Sequence, residues 1–277
     1  MPTISISQND AKLEDQVTLF LDFLGFSDAA SQHNSDTLKA LLQLLHSLSG
    51  MRSDFSINIA PNSDGSTSKS FTPAISTFSD HIVVSYPLGR VSFLDRRHLA
   101  MLPILQRLEE MVAVIAGAAV RIGFLVRGGI SLGKLYHAGG VVFGPAMVES
   151  FNLESRLANY PRIAVSPALL EYLKRNEITY ASMKPDYDGV ICLDYFRLMI
   201  MRSLTSDENF DDQVKTWLHQ IHLIISRNIR ELTESKQLSA RAKWVWFSTR
   251  LAETIEKDPF FPQFGIDTSM LATNGKS

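Results

Sequence analysis

The chain has 277 residues, 45% of them apolar and 20% charged, which supplies a hydrophobic core and excludes wholesale disorder. Its 27 basic side chains against 29 acidic ones leave a net charge of -2, so it lacks the field that draws nucleic acid, while a local phosphate site stays open. A single cysteine, Cys192, excludes an internal disulfide and a cysteine-type zinc site and points to a reducing compartment. The first residues lack a basic region followed by an apolar one, and the longest apolar run, Met111 to Val120, is about half the ~20 residues of a membrane helix. The expectation is a cytoplasmic protein with neither a membrane nor a nucleic-acid partner.

Gln16 to Leu21 reads as a buried strand closed by Asp22, followed by a turn at Gly25 and a helix capped by Ser27 and Asp28. Asn34 to Gly50 carries leucines at three- and four-residue steps and reads as an amphipathic helix, whereas Asn58 to Ser70 is a polar loop. Phe71 to Phe78 and His81 to Tyr86 flank Ser79-Asp80 as a β-hairpin. A helix is predicted over His98 to Val120, strands over Phe124 to Leu132 and Val141 to Phe143, and a proline-initiated helix over Pro145 to Asn159. Arg162 to Val165 and Val190 to Leu193 read as short strands, and Ser166-Pro167 opens a further helix. After Arg202 the pattern is helical, over Phe210 to Glu234 and Ser239 to Lys257. Strands mixed with helices around a hairpin imply an α+β domain over residues 1-200 and a helical extension over 201-277.

Two carboxylates stand out. Asp22 either caps the following helix or holds a divalent cation beside a phosphate-binding turn, and Asp80 is either a plain turn residue or a second metal ligand facing Asp22. Asn152 and Arg156 lie one helical turn apart on one face. Arg127-Gly128-Gly129 reads as structural, with glycines that admit a close backbone or a bulge. Arg90, Arg96 and Arg97 form a loop cluster that is solvated or reaches phosphate. The histidines show no metalloprotease spacing, and no Ser/His/Asp set is recognisable.

Taken together, Asp22-Phe-Leu-Gly-Phe-Ser27, Phe78-Ser-Asp80-His-Ile-Val83, Arg127-Gly-Gly-Ile-Ser-Leu-Gly133 and Asn152-Leu-Glu-Ser-Arg156 occur in the order found in class III nucleotidyl cyclase domains, which the chain resembles over roughly residues 15-195. Within that class, Gly144 to Ile163 resembles the bacterial pyrimidine cyclases of the Pycsar antiphage systems more than the adenylate or guanylate cyclases. The resemblance implies a ferredoxin-like βαββαβ core. It also implies conversion of UTP to 3′,5′-cyclic UMP and pyrophosphate, a second messenger of antiphage defence. A cytidylate cyclase and an inactive nucleotide sensor are the alternatives.

By the same resemblance, Asp22, Asp80 and the backbone carbonyl of Phe23 hold two Mn²⁺ or Mg²⁺ ions per site, and the N-H groups of Leu24, Gly25, Phe26 and Ser27 hold the triphosphate. Arg156 meets charge on the α-phosphate and Asn152 orients the ribose, or Asn152 takes the arginine's place under a shifted register. The implied assembly is a homodimer with shared sites, metal carboxylates from one subunit and the Asn/Arg helix from the other. A separate cyclic-nucleotide-responsive effector reads the product. The chain departs from adenylate cyclases by lacking their base-selecting Lys and Asp near Ala74 and Pro145; Ser76 and Thr77 are candidates to read the base instead.

Overall fold

The computed structural model describes residues 12-31, 35-59, 69-88, 97-203, 210-261 and 268-271. An apolar strand buried on both faces belongs inside a sheet, and β1 (Glu14–Leu24), buried from Gln16 to Phe23, lies there. After the turn at Gly25 (φ +103°) the chain forms α1 (Phe26–Ser31) and α2 (Ser35–Gly50). The strands β2 (Ile57–Ile59) and β3 (Lys69–Phe71) then pair as a small ladder. Residues 60-68 of the predicted polar loop lie outside the described residues, but its two ends are strands. Thr72 and Pro73 interrupt the predicted Phe71-Phe78 strand, because proline has no N-H for the ladder. β4 (Ala74–Phe78) follows, and Ser79-Asp80 turns it into β5 (His81–Pro87).

The long helix α3 (Arg97–Arg121) leads into β6 (Leu125–Ala138), which runs six residues beyond the predicted strand and turns at Gly139-Gly140 into β7 (Val141–Phe143). The remaining elements are α4 (Pro145–Arg156), β8 (Ile163–Val165), α5 (Pro167–Arg175), β9 (Met183–Pro185), β10 (Ile191–Leu193) and α6 (Phe196–Arg202). The chain ends in α7 (Phe210–Glu234) and α8 (Leu238–Lys257). β9 and α6 were not foreseen, since three and seven residues are too short for periodicity to register. Ser166 caps α5 as expected, its hydroxyl accepting from the Leu169 N-H at 3.1 Å.

The main sheet runs β4-β5-β1-β6-β8-β10-β9, with β7 attached to β6. Its first four strands are mutually antiparallel and pair in the order of a ferredoxin-like βαββαβ unit, with α1-α2 and α3 as the crossovers. The fold is therefore α+β, as expected. Alternation along β1 sends Val17, Leu19, Leu21 and Phe23 into the core formed with α3. Thr18, Phe20 and Asp22 point to the opposite face. α4 packs on that second face, with Phe20 against the edge of Phe151 at 5.6 Å between ring centroids. The helices α7 and α8 contribute Trp217, Ile221, Trp244, Phe247 and Leu251 to the same continuous core.

One buried polar relay ties the β4-β5 hairpin to β6. His137 meets Ser76 Oγ at 2.9 Å through Nε2 and Ser85 Oγ at 2.8 Å through Nδ1. Burial, reinforced by the Arg52 charge, pushes the imidazole down to about 4. A folded value below the ordinary one of about 6.5 means that protonation favours the unfolded chain. The relay's contribution is therefore complete above about pH 6.5 and is lost as pH falls from there toward 4. Denaturant unfolding measured across that window should show stability declining with pH, and His137→Asn should flatten that decline.

Candidate active site

The antiparallel pairing of β1 with β5 sets Asp22 directly opposite His81. The turn before His81 brings Asp80 alongside, and the Phe23 N-H donates to the Asp80 carbonyl at 3.2 Å, tying the hairpin tip to β1. Ser79 at that tip adopts φ +53°, a conformation that costs a non-glycine residue about 1 kcal/mol. Its hydroxyl donates to Asp80 Oδ1 at 2.8 Å and so steers the carboxylate. Asp22 and Asp80 are only 7% and 9% exposed.

His81 stands between the two acids, with Nε2 3.5 Å from Asp22 Oδ1 and Nδ1 3.3 Å from Asp80 Oδ1. Its ring stacks on Phe78 at 5.3 Å and leans on Phe20 at 5.1 Å, which fixes its plane. One ligand atom from each of Asp22, Asp80 and His81 falls within a 4.8 Å cluster. The buried His81 Nδ1 makes no hydrogen bond. Two nearly buried carboxylates converging with an imidazole fit a divalent cation of the Mg²⁺ or Mn²⁺ kind, because hard oxygen donors suit those ions.

The other oxygen of Asp22 is engaged from β6. Arg127 pairs with Asp22 in the sheet register, and its Nε lies 2.9 Å from Asp22 Oδ2 and 2.6 Å from Glu154 Oε1. Glu154 is 2% exposed. Burial raises its carboxyl to about 7; Arg127 opposes the rise, and Asp22 and Asp80 add to it. The Asp22 carboxylate is thus fixed between Arg127 on one side and the hairpin tip on the other. It does not cap α1, since β1 continues two residues past it.

The packing of α4 explains how Glu154 reaches this point. Ser131 Oγ donates to the Ala146 carbonyl at 2.7 Å and meets Ser150 Oγ at 2.8 Å, and Ser150 Oγ donates to the Thr18 carbonyl at 3.1 Å. This close seat requires glycine on β6: a Cβ on Gly129 would lie 2.4 Å from the Ser150 carbonyl oxygen and 2.6 Å from Leu153 Cβ. We expect Gly129→Ala to lower stability by about 1–3 kcal/mol, read as a fall in the thermal midpoint, and to reduce whatever activity depends on α4.

Asn152 and Arg156 take the other side of the helix. With Glu154 turned to the sheet, a step of two residues either way rotates both to the opposite face. There they line a groove with Phe143, Val148 and Leu157, of which Phe143 is 67% and Val148 59% exposed. Within one chain, then, the Asn152/Arg156 pair and the Asp22/Asp80 pair face different ways. Leu24 ends β1, Gly25 makes the turn, and Phe26 and Ser27 begin α1, with the Ala29 N-H bonded to the Gly25 carbonyl at 3.1 Å. Ser76 sits in the His137 relay, toward the other end of the hairpin. Arg90 and Arg96 lie outside the described residues, and Arg97 opens α3.

Sequence reasoning missed three members of the cluster. His81 follows Asp80 directly, and the pairing register of two adjacent strands would have placed it opposite Asp22. Arg127 was read as part of a structural glycine strand, and Glu154 was passed over between Asn152 and Arg156. An acidic residue on the inward side of an amphipathic helix is the signal that would have drawn attention to it.

No protein-family model matches the sequence, and no curated protein matches it. Among solved structures, the chain is similar to the monomeric guanylyl cyclase domain of the RhoGC fusion protein from the aquatic fungus Blastocladiella emersonii, with 15% identity and a TM-score of 0.40 over 66% of this chain and 96% of that one. A second likeness is to the catalytic core of a rhodopsin-guanylyl cyclase with converted specificity in complex with ATPalphaS, with 13% identity and a TM-score of 0.37 over 66% and 95%. A third is to a bacterial light-regulated adenylyl cyclase, with 11% identity and a TM-score of 0.37 over 70% and 57%.

Proposed function

We propose that the chain is a nucleotidyl cyclase of class III type that converts UTP to 3′,5′-cyclic UMP and pyrophosphate, and that the product is a second messenger of antiphage defence read by a separate effector. The observation that carries the catalytic part is the convergence of Asp22, Asp80 and His81 at the hairpin tip, braced by Arg127. The choice of a pyrimidine rests on the spelling of Gly144 to Ile163.

Asp22 and Asp80, with the Phe23 carbonyl, would hold Mn²⁺ or Mg²⁺, which when bound supplies the positive charge that acidifies a ribose 3′-hydroxyl and neutralises phosphate oxygens. In the reaction the 3′-oxygen bonds to the α-phosphorus, the bond from that phosphorus to the bridging oxygen breaks, pyrophosphate leaves, and the hydroxyl proton is released. The N-H groups from Leu24 to Ser27 would hold the phosphates, those of Phe26 and Ser27 being free of partners within α1 as the first residues of a helix are. Arg127 and His81 keep the carboxylates in place.

Asn152 and Arg156 complete the chemistry from a second copy of the chain, because on their own subunit they face away from Asp22. Arg156 meets charge developing on the α-phosphate and Asn152 orients the ribose. The exposed apolar side chains around them, Phe143, Val148 and Leu157, are suited to being covered in such a dimer.

The test is incubation of the purified chain with Mn²⁺ and each of the four nucleoside triphosphates, with products identified by mass. Cyclic UMP from UTP is the expected result. Cyclic CMP from CTP would change the base assigned, a purine product would overturn the pyrimidine reading, and binding of UTP without turnover would indicate a sensor.

A further inference from the structure

The chain between α4 and β8, residues 157-162, is fastened from several sides. Arg162, 3% exposed, places its guanidinium at the end of α4, where Nη2 donates to the Leu157 carbonyl at 2.6 Å. Leu157 is the C-cap of that helix and directly follows Arg156. The β9-β10 turn clasps the same guanidinium: Nη1 donates to Asp186 Oδ2 at 2.5 Å and Asp188 Oδ1 at 2.8 Å, and Nη2 to Asp188 Oδ2 at 2.7 Å. The buried Tyr195 donates its hydroxyl to the Pro161 carbonyl at 3.0 Å. Tyr160 stacks on Trp246 of α8, with 5.7 Å between ring centroids and 13° between planes.

A helix end does not by itself call for such a construction, since water or a glycine cap satisfies its last carbonyls at little cost. A buried arginine paired with Asp186, whose side chain is 4% exposed, loses in desolvation about what the attraction returns. What the guanidinium fork adds is direction, because it meets its acceptors at fixed angles and so fixes where the helix ends. The middle of α4 is already seated through Ser150 on Ser131 and Thr18. Beyond it Ser155, Arg156 and Leu157 are exposed, and Arg162 supplies the anchor there.

We propose that Arg162 is a positioning residue for Arg156, fixing the end of α4 so that the Arg156 guanidinium meets the α-phosphate at the second subunit's metal site. This assignment rests on the cyclase reading above. A charge that acts on a transition state has to be held to within about half an ångström, and a displacement of about 1 Å costs up to about 10²-fold in rate. The Arg162 carbonyl also accepts from the Gly128 N-H at 3.0 Å, next to Arg127 on β6. That bond is main-chain and survives substitution of the side chain, so the Asp22 cluster of the same subunit stays in place.

Arg162→Lys keeps a positive charge beside Asp186 but cannot span Leu157, Asp186 and Asp188 at once. With the nucleoside triphosphate that the unmodified chain turns over, it should lower kcat by about tenfold or more with a smaller change in KM. Mn²⁺ affinity, measured by calorimetry on the full chain, should be unchanged. Arg175→Lys, in an exposed pair with Glu171, should change neither. Mixed with Asp22→Asn chains, Arg162→Lys chains should gain activity, because one site of a mixed dimer then has both an intact Asp22 and an intact α4 end. Mixed with Arg156→Ala chains they should gain none, because both lesions lie on the same half of the site. Asp188→Asn, at a side chain 52% exposed, loosens the same clasp and replaces the Lys variant, with the same expectations, if that one fails to fold. An unchanged kcat, weakened Mn²⁺ binding or no gain with Asp22→Asn chains overturns the assignment while the cyclase reading stands. Absence of any cyclic nucleotide from the unmodified chain overturns both.

Discussion

Asp22→Asn and Asp80→Asn should each reduce the proposed cyclic nucleotide formation by about 10³-fold or more, the scale of several kcal/mol of charge stabilisation at the transition state. The change removes a negative charge while keeping nearly the same shape, so it separates charge from packing. In the Asp22 variant Arg127 retains its contact with Glu154, and in the Asp80 variant the Phe23 N-H still meets the main-chain carbonyl of residue 80. Both proteins should therefore fold, with thermal midpoints close to that of the unmodified chain. Both should also lose Mn²⁺ binding in a direct titration. Undiminished turnover by either variant at saturating Mn²⁺ would dismiss the carboxylates as metal ligands.

Mixing two inactive proteins should restore activity. Arg156→Ala should lower kcat by about 10²-fold with a smaller effect on KM, as expected for charge felt mainly in the transition state. Asn152→Ala is the control for the helix register; if it proves the more damaging of the two and Arg156→Ala is nearly silent, Asn152 holds the position assigned to the arginine. Within one subunit the Asn152/Arg156 face of α4 is turned away from the Glu154 side, which touches the Asp22 cluster. On the proposed arrangement each complete site needs two subunits. A dimer of one Asp22→Asn chain and one Arg156→Ala chain collects both lesions in one site and leaves the other intact. Random exchange makes about half of the dimers mixed, each with one working site, so activity should return to about a quarter of that of the unmodified protein. Co-expressed dimers shown to be mixed yet inactive would mean that each site is built within one chain.

How much of this was legible in advance depends on the range of the interactions. Asp80 could be placed at a hairpin tip from sequence because a two-residue turn joins adjacent strands, whereas its meeting with Asp22 was implied by the resemblance, since nothing local sets β1 beside that hairpin. The long helices α3, α7 and α8 matched their predicted bounds closely, since 20 or more residues of one period outweigh local noise. Gly128-Gly129 was recognised as a place for close backbone approach, but not that α4 is what approaches. The continuation of β6 past Gly133 was hidden by that glycine and Lys134, which locally resemble a strand end. The neighbours of Asp22 were the least visible part.

Arg127 is 105 residues from Asp22, and Glu154 is brought in by a further helix, α4. Their meeting depends on strand order and on the serine contacts that seat α4. Sequence by itself determined the long elements, the α+β class and the hairpin turn that carries Asp80, because those follow from local periodicity and the geometry of one turn. Only the tertiary structure decided which cations stand beside those carboxylates and which way Asn152 and Arg156 face, because such contacts depend on how whole elements pack and leave no periodic trace in the chain.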